Sequence, residues 1–168
     1  MPIDLLTRRA ALMSLGAIAS VGLAGCNATP TAGVQPGATP PPGLRIGVVN
    51  IDNSPLVAYV GNPTAQWAQQ ALPGALAQAF GARMAPGDPG AVPLDIRLDT
   101  LYLGNGGPAD PDRMRGVATL GGHSISVRAD STYIANPTDQ ALPEQALQGR
   151  VQALAVAFAY RLKRKLGA

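Results

Sequence analysis

The chain has 168 residues, of which 14% are charged and 4% aromatic, with 20 glycines, 16 prolines, one cysteine and a formal net charge of +3. That length predicts one domain, and a lone cysteine excludes an internal disulfide. Arg8, Arg9 and Asp4 belong to the opening segment, and the remainder is nearly balanced in charge, which argues against the broad basic stripe of a nucleic-acid binder. The opening segment itself is the first element in chain order. A positive start at Arg8 and Arg9 leads into an apolar run over 10–23 and then small residues, the plan of a secretory signal. The run is shorter than the ~20 residues that span a bilayer.

At the end of that run, Leu23-Ala24-Gly25-Cys26 resembles the lipobox of bacterial lipoproteins at all four positions. The resemblance implies cleavage before Cys26, diacylglycerol on its sulfur and acylation of the new amino group by a fatty acid such as palmitate. Cys26 is then an attachment point and not a catalytic thiol, and the covalent lipid is the only added group expected. Each buried methylene contributes about 0.8 kcal/mol, so two or three acyl chains make a durable anchor. Thr7-Arg8-Arg9-Ala10-Ala11-Leu12 also resembles a twin-arginine export signal, although Ala11 stands where that family has a bulky apolar residue. An ordinary positive start is the other reading of the same arginines. Asn27, where an aspartate would favour inner-membrane retention, points to the outer membrane, facing the periplasm.

Residues 27–43, NATPTAGVQPGATPPPG, hold five prolines and three glycines without apolar periodicity. They predict a tether, stiffened at Pro40-Pro41-Pro42. The expected organisation is a signal peptide over 1–25, a lipidated cysteine and tether over 26–43, and one folded domain over 44–168.

Within that domain, LRIGVVNI (44–51) predicts a strand. Asn62 and Pro63 offer an N-cap and a first helical residue. Ala68, Leu72, Leu76 and Phe80 then recur every four residues along an amphipathic helix that Gly81 closes. Pro73-Gly74 predicts a kink in it, or two short helices. In 93–104, Leu94, Ile96 and Leu98 alternate with Asp95, Arg97 and Asp99, after which the parity changes and predicts a bulge near Asp99-Thr100. Residues 114–134 read as two strands joined by a tight turn at Gly121-Gly122. From about Leu142-Pro143 to the end, Leu147, Val151, Leu154, Phe158 and Leu162 form a helical stripe, with Lys163-Arg164-Lys165 suited to the C-terminal end of the dipole. The predicted fold is α+β: a two-layer β-α-β-β-β-α domain, with a mainly antiparallel four-stranded sheet and two helices on one face.

Chemistry-bearing patterns are sparse. His123, the only histidine, stands beside the Gly121-Gly122 turn and reads as an exposed hairpin residue. Asp110-Pro111-Asp112 lacks the ligand spacing of a calcium loop and reads with Gly106-Gly107-Pro108 as turn chemistry. The glycine-rich stretch 104–111 does not lead into a helix N-terminus that would cradle phosphate. Serines lack a nucleophile-elbow context, and Asp95 and Asp99 interleave with Arg97 as solvated charges. No catalytic set and no metal site are therefore expected. Three basic residues at the C-terminus fall short of a convincing cluster for anionic lipid. Residues 153–160, ALAVAFAY, are apolar almost all round, and Gly149, Ala153 and Ala157 would let another backbone approach. Either this helix packs on both the sheet and the first helix, or one side, with Val156 and Tyr160, docks a partner.

A lipoprotein with one cysteine and this element order resembles the LPS-assembly lipoproteins that plug an outer-membrane barrel. The resemblance extends to the end of the chain, where an aromatic strand end precedes a long helix. It departs at CNATPTAG and the proline-rich stretch, where that family runs directly into its first strand. The implied role is a non-enzymatic, membrane-anchored envelope lipoprotein, an accessory to an outer-membrane assembly or transport complex with an envelope protein as partner. The alternative is a periplasmic binding module for a glycan or lipid fragment.

Overall fold

The computed structural model describes residues 35–36, 43–133 and 143–167, all within one unit spanning Ala32–Ala168. Arg8, Arg9, Leu23, Ala24, Gly25 and Cys26 lie outside the described residues. The elements are β1 (Gln35–Pro36), β2 (Ile46–Asp52), α1 (Ser54–Val60), α2 (Asn62–Phe80), β3 (Val92–Tyr102), β4 (Asp112–Leu120), β5 (His123–Ser131) and α3 (Pro143–Lys165), with a 3-10 turn at Gly81–Arg83. The sheet order is β1-β5-β4-β3-β2. Among the four longer strands, β3/β4 and β4/β5 pair antiparallel. The β2/β3 pair is parallel, as its helical crossover requires. The α+β class and the helix-covered sheet face are as the sequence predicts.

Local chemistry explains most of the boundaries. Gly121 and Gly122 both have positive φ, 56° and 81°, the backbone a two-residue antiparallel turn needs and one that side chains with a Cβ resist. The ladder of β3 on β4 shifts register between Leu98 and Thr100, so the bulge falls at Asp99 where the alternation changes parity. On one face, Leu94, Ile96, Leu98 and Leu101 of β3 lie opposite Leu120, Ala118, Gly116 and Met114 of β4. Together with Val127 and Ala129 of β5 they form the sheet's side of the core. Gly116 is required there, because a Cβ would run into the Arg97 carbonyl.

Helix α3 packs on β4 and β5, α1 packs on β3, and α2 packs on α3 and α1. Ala65, Ala68, Ala75 and Ala79 of α2 and Ala155 and Ala159 of α3 are buried, as are Leu72, Leu76, Leu154, Phe158 and Leu162. The small residues that thin the helix layer are thus Ala155 and Ala159, while Gly149 and Ala153 of the expected small-residue series are exposed.

Four features differ from expectation. Helix α1 is additional; its Leu56 is fully buried, and Asp52 Oδ1 accepts the Ser54 N–H at 2.9 Å at its entry. Asn62 does not cap α2 from outside but is its first residue, following Gly61, whose N–H bonds the Val57 carbonyl and closes α1. Of the two outcomes expected at Pro73-Gly74, a kink or two short helices, the second is excluded: α2 runs unbroken from Asn62 to Phe80, with Pro73 and Gly74 exposed, so water can satisfy the carbonyl that the missing N–H releases. Finally, the sheet takes two residues from the expected tether: β1 pairs in parallel with β5, Gln35 opposite His123 and Pro36 opposite Ser124.

Candidate interaction surface

With all three helices on one side, the other face of the sheet carries the polar members of each strand. Its side chains bond largely to one another. Asn50 Nδ2 donates to Asp95 Oδ1 at 2.7 Å, Arg97 Nε to Asp99 Oδ1 at 2.8 Å, and the Thr119 and Ser124 hydroxyls lie 2.7 Å apart. Arg128 donates to both Asp130 oxygens at 3.1–3.3 Å, and the Arg113 guanidinium stands over the Tyr102 ring, 5.7 Å from its centroid. Asn50, Asp52, Asp95, Arg97, Thr119 and Ser124 line an open hollow on this face together with Val117, where the strand also passes Ile96. The backbone and side-chain hydrogen bonds from Ser54 hold the Asp52 carboxyl below its ordinary value.

The loop between β3 and β4 is built around Asp110. Its Oδ2 accepts the Asn105 N–H at 3.0 Å and the Tyr102 hydroxyl at 3.2 Å, while Gly106, at φ 81°, approaches so closely that a Cβ would lie 2.7 Å from the Tyr133 carbonyl. Asp112 has a separate role. It is fully buried and accepts Arg150 Nε at 2.9 Å and Nη2 at 2.5 Å, and the same Nη2 also donates to the Gly104 carbonyl. These bonds to Asp112 raise the Arg150 pKa further above the ordinary arginine range. One guanidinium therefore ties α3 to the strand start and to the loop. The turn reading of Asp110-Pro111-Asp112 holds in outline, but the ion pair was not legible, since its partners stand 38 residues apart.

Leu147 is 37% exposed, so the first turns of α3 extend past the core that the expected stripe would have buried, and near the other end Tyr160 is 43% exposed. Val156 is partly buried against the core and cannot present a free apolar face. Tyr160 lines a hollow with Arg128, Ala129 and Asp130 of β5 and with Ala157, Arg161, Lys163 and Arg164 of α3. Of the two proposed docking residues, the structure leaves Tyr160 available. His123 is half-buried where an exposed hairpin residue was expected, because β1 lies alongside it, and its Nδ1 is buried without a hydrogen-bond partner among the described residues.

Among the described residues no helix is long and apolar enough to cross a membrane, and no three His, Cys, Asp or Glu side chains group as metal ligands. No protein-family model matches the chain, and neither curated proteins nor solved structures contain a match.

Proposed function

We propose that the chain is a lipid-anchored envelope protein of the outer membrane, facing the periplasm, that acts without catalysis as an accessory of an assembly or transport complex. The anchor reading rests on Leu23-Ala24-Gly25-Cys26 at the end of an apolar run behind Arg8 and Arg9. The observation that carries the contact reading is the uncovered sheet face, where Asp95, Asp99 and Asp130 are each engaged by a neighbouring side chain. Tyr102 and the arginines Arg97, Arg113 and Arg128 on that face are of the residue types enriched at protein contacts.

The hollow rimmed by Asn50, Asp95, Thr119 and Ser124 favours a second reading, a small glycan or lipid fragment held there. It is open to solvent, whereas a ligand site buries about 70–90% of its occupant, so the contact reading is preferred. The anchor is tested by growth with labelled palmitate and membrane fractionation. The natural chain is expected to take up label and partition with the outer membrane, and Cys26→Ser to do neither. Equal labelling of the two would overturn the reading.

A further inference from the structure

Lys163-Arg164-Lys165 at the end of α3 is an ordinary complement to a helix dipole. The fold adds cations that the dipole does not explain. Helix α3 runs antiparallel to β5, with Arg150 at Asp112 and Lys165 beside Ser126 and Val127. Arg128, Arg161, Lys163 and Arg164 line one hollow with Tyr160. A second hollow shares Arg128 and Arg161 and adds Arg115, Lys165 and one carboxylate, Asp99, which Arg97 engages. Arg115 lies directly opposite Arg128 in the β4/β5 ladder, a like-charge arrangement that destabilises a sheet. Arg128 is offset by Asp130, but Arg115, Arg161, Arg164 and Lys165 form no ion pair among the described residues and are exposed. Six cations from three elements reach the size at which a cluster binds anionic membrane. An exposed tyrosine at its margin suits the headgroup level.

The chain's own connectivity supplies the occupant. Strand β1 pairs with His123 and Ser124, next to the stretch of β5 beside which α3 ends. Gln35 stands only nine positions after Cys26, a reach of roughly 30 Å at full extension. If Cys26 carries the lipid, the basic end of the domain is held close to the headgroups. We propose that Arg115, Arg128, Arg161, Arg164 and Lys165, with Tyr160, form a docking surface for the anionic glycerophospholipid headgroups of the membrane that anchors the chain. This rests on the lipid anchor at Cys26.

Lys163 and Lys165 are the only lysines in the sequence, so amine acylation reads the surface directly. The full chain is reconstituted into vesicles of phosphatidylcholine alone or with about 30% phosphatidylglycerol, and the labelling rate at each lysine is followed by peptide mapping. Slower labelling is expected in the anionic vesicles alone, lost at about 1 M salt, where the Debye length is about 3 Å. At about 1 kcal/mol per cation, Arg161→Gln should lower the docking equilibrium constant about fivefold, and Arg161→Gln with Arg164→Gln roughly thirtyfold. Arg45→Gln, which removes the same charge at a site remote from both hollows, where Arg45 pairs with Asp88, should leave it unchanged. Equal rates in the two vesicle types overturn the proposal, as does equal loss in Arg45→Gln. Equal protection by inorganic phosphate without vesicles also overturns it, in favour of a soluble anion. Palmitate on Cys26 in the same preparation is read separately by mass, so loss of the anchor and loss of docking are distinguishable.

Discussion

Arg150→Met keeps much of the aliphatic stem in place and removes the guanidinium that joins α3 to Asp112 and Gly104. The Asp112 side chain is 1% exposed and that of Arg150 14%, so the variant strands a carboxylate that solvent cannot reach and leaves the Gly104 carbonyl without its donor. Breaking one side of a buried pair costs about 3–5 kcal/mol; the partial exposure of Arg150 places this case toward the lower end. Against a domain stability of about 5–15 kcal/mol, that is a fall in melting temperature of roughly 10 °C or more. Because the Arg150 pKa is raised, its contribution is complete below the ordinary arginine range and is lost only as pH rises through the raised value. The loss in Arg150→Met should therefore be the same at pH 7 and pH 9. The assay is urea unfolding at constant m-value. Arg150→Met with Asp112→Leu removes both charges and should recover more than half of the loss, because an apolar pair needs no partner. A loss under about 1 kcal/mol in the single variant, or a double variant no more stable than Arg150→Met, would refute this account of the pair.

Two further outcomes follow from the burial and hydrogen bonding of single side chains. Phe158 is fully buried while Tyr160 is 43% exposed, so Phe158→Ala should lose about 3–5 kcal/mol in the same unfolding assay and Tyr160→Ala less than about 1 kcal/mol; equal losses would place the whole of α3 in the core. Asp88 accepts the Gly90 N–H at 2.8 Å and Arg45 Nη1 at 2.8 Å, which lowers its carboxyl below the ordinary 3.8. Its contribution to stability is then present above that value and lost as pH falls through the folded one, and a carboxyl-carbon NMR midpoint at or above 3.8 would contradict it.

What could be read from the sequence is what neighbouring residues decide. Two glycines in a row set the hairpin, a change of parity after Leu98 sets the bulge, and four-residue spacing sets the inward faces of α2 and α3. Each of these signals is complete within one or two turns of chain. Helix α1 was not legible because SPLVAYV holds β-branched and aromatic residues that suit a strand equally well. Its helicity depends on Pro55 in the first turn, on Leu56 entering the core and on Gly61 stopping it. Strand β1 was hidden for a related reason: two residues of a proline-rich stretch have no period, and only the free edge of β5 selects them.

The candidate surfaces fall on the same divide, and here it bears on function. The export and lipidation signal proposed at Arg8, Arg9 and Leu23-Ala24-Gly25-Cys26 is of a kind that enzymes read from an extended segment, so it is sought in the sequence as a string. A charged surface is a sum over elements. Lys163-Arg164-Lys165 alone was too few to bind a membrane, and nothing in 113–128 marks Arg115 or Arg128 as their neighbours. Antiparallel packing of α3 on β5 brings Arg161 and Lys165 over Ser126 and Arg128, and the β4/β5 ladder places Arg115 opposite Arg128. The count crosses the threshold for anionic lipid only after folding. The same packing commits Arg150, at the far end of α3, to Asp112, so the helix that presents the cations is fixed by a buried cation of its own. Loosening that end should therefore weaken docking at the other without removing a single charge from the surface.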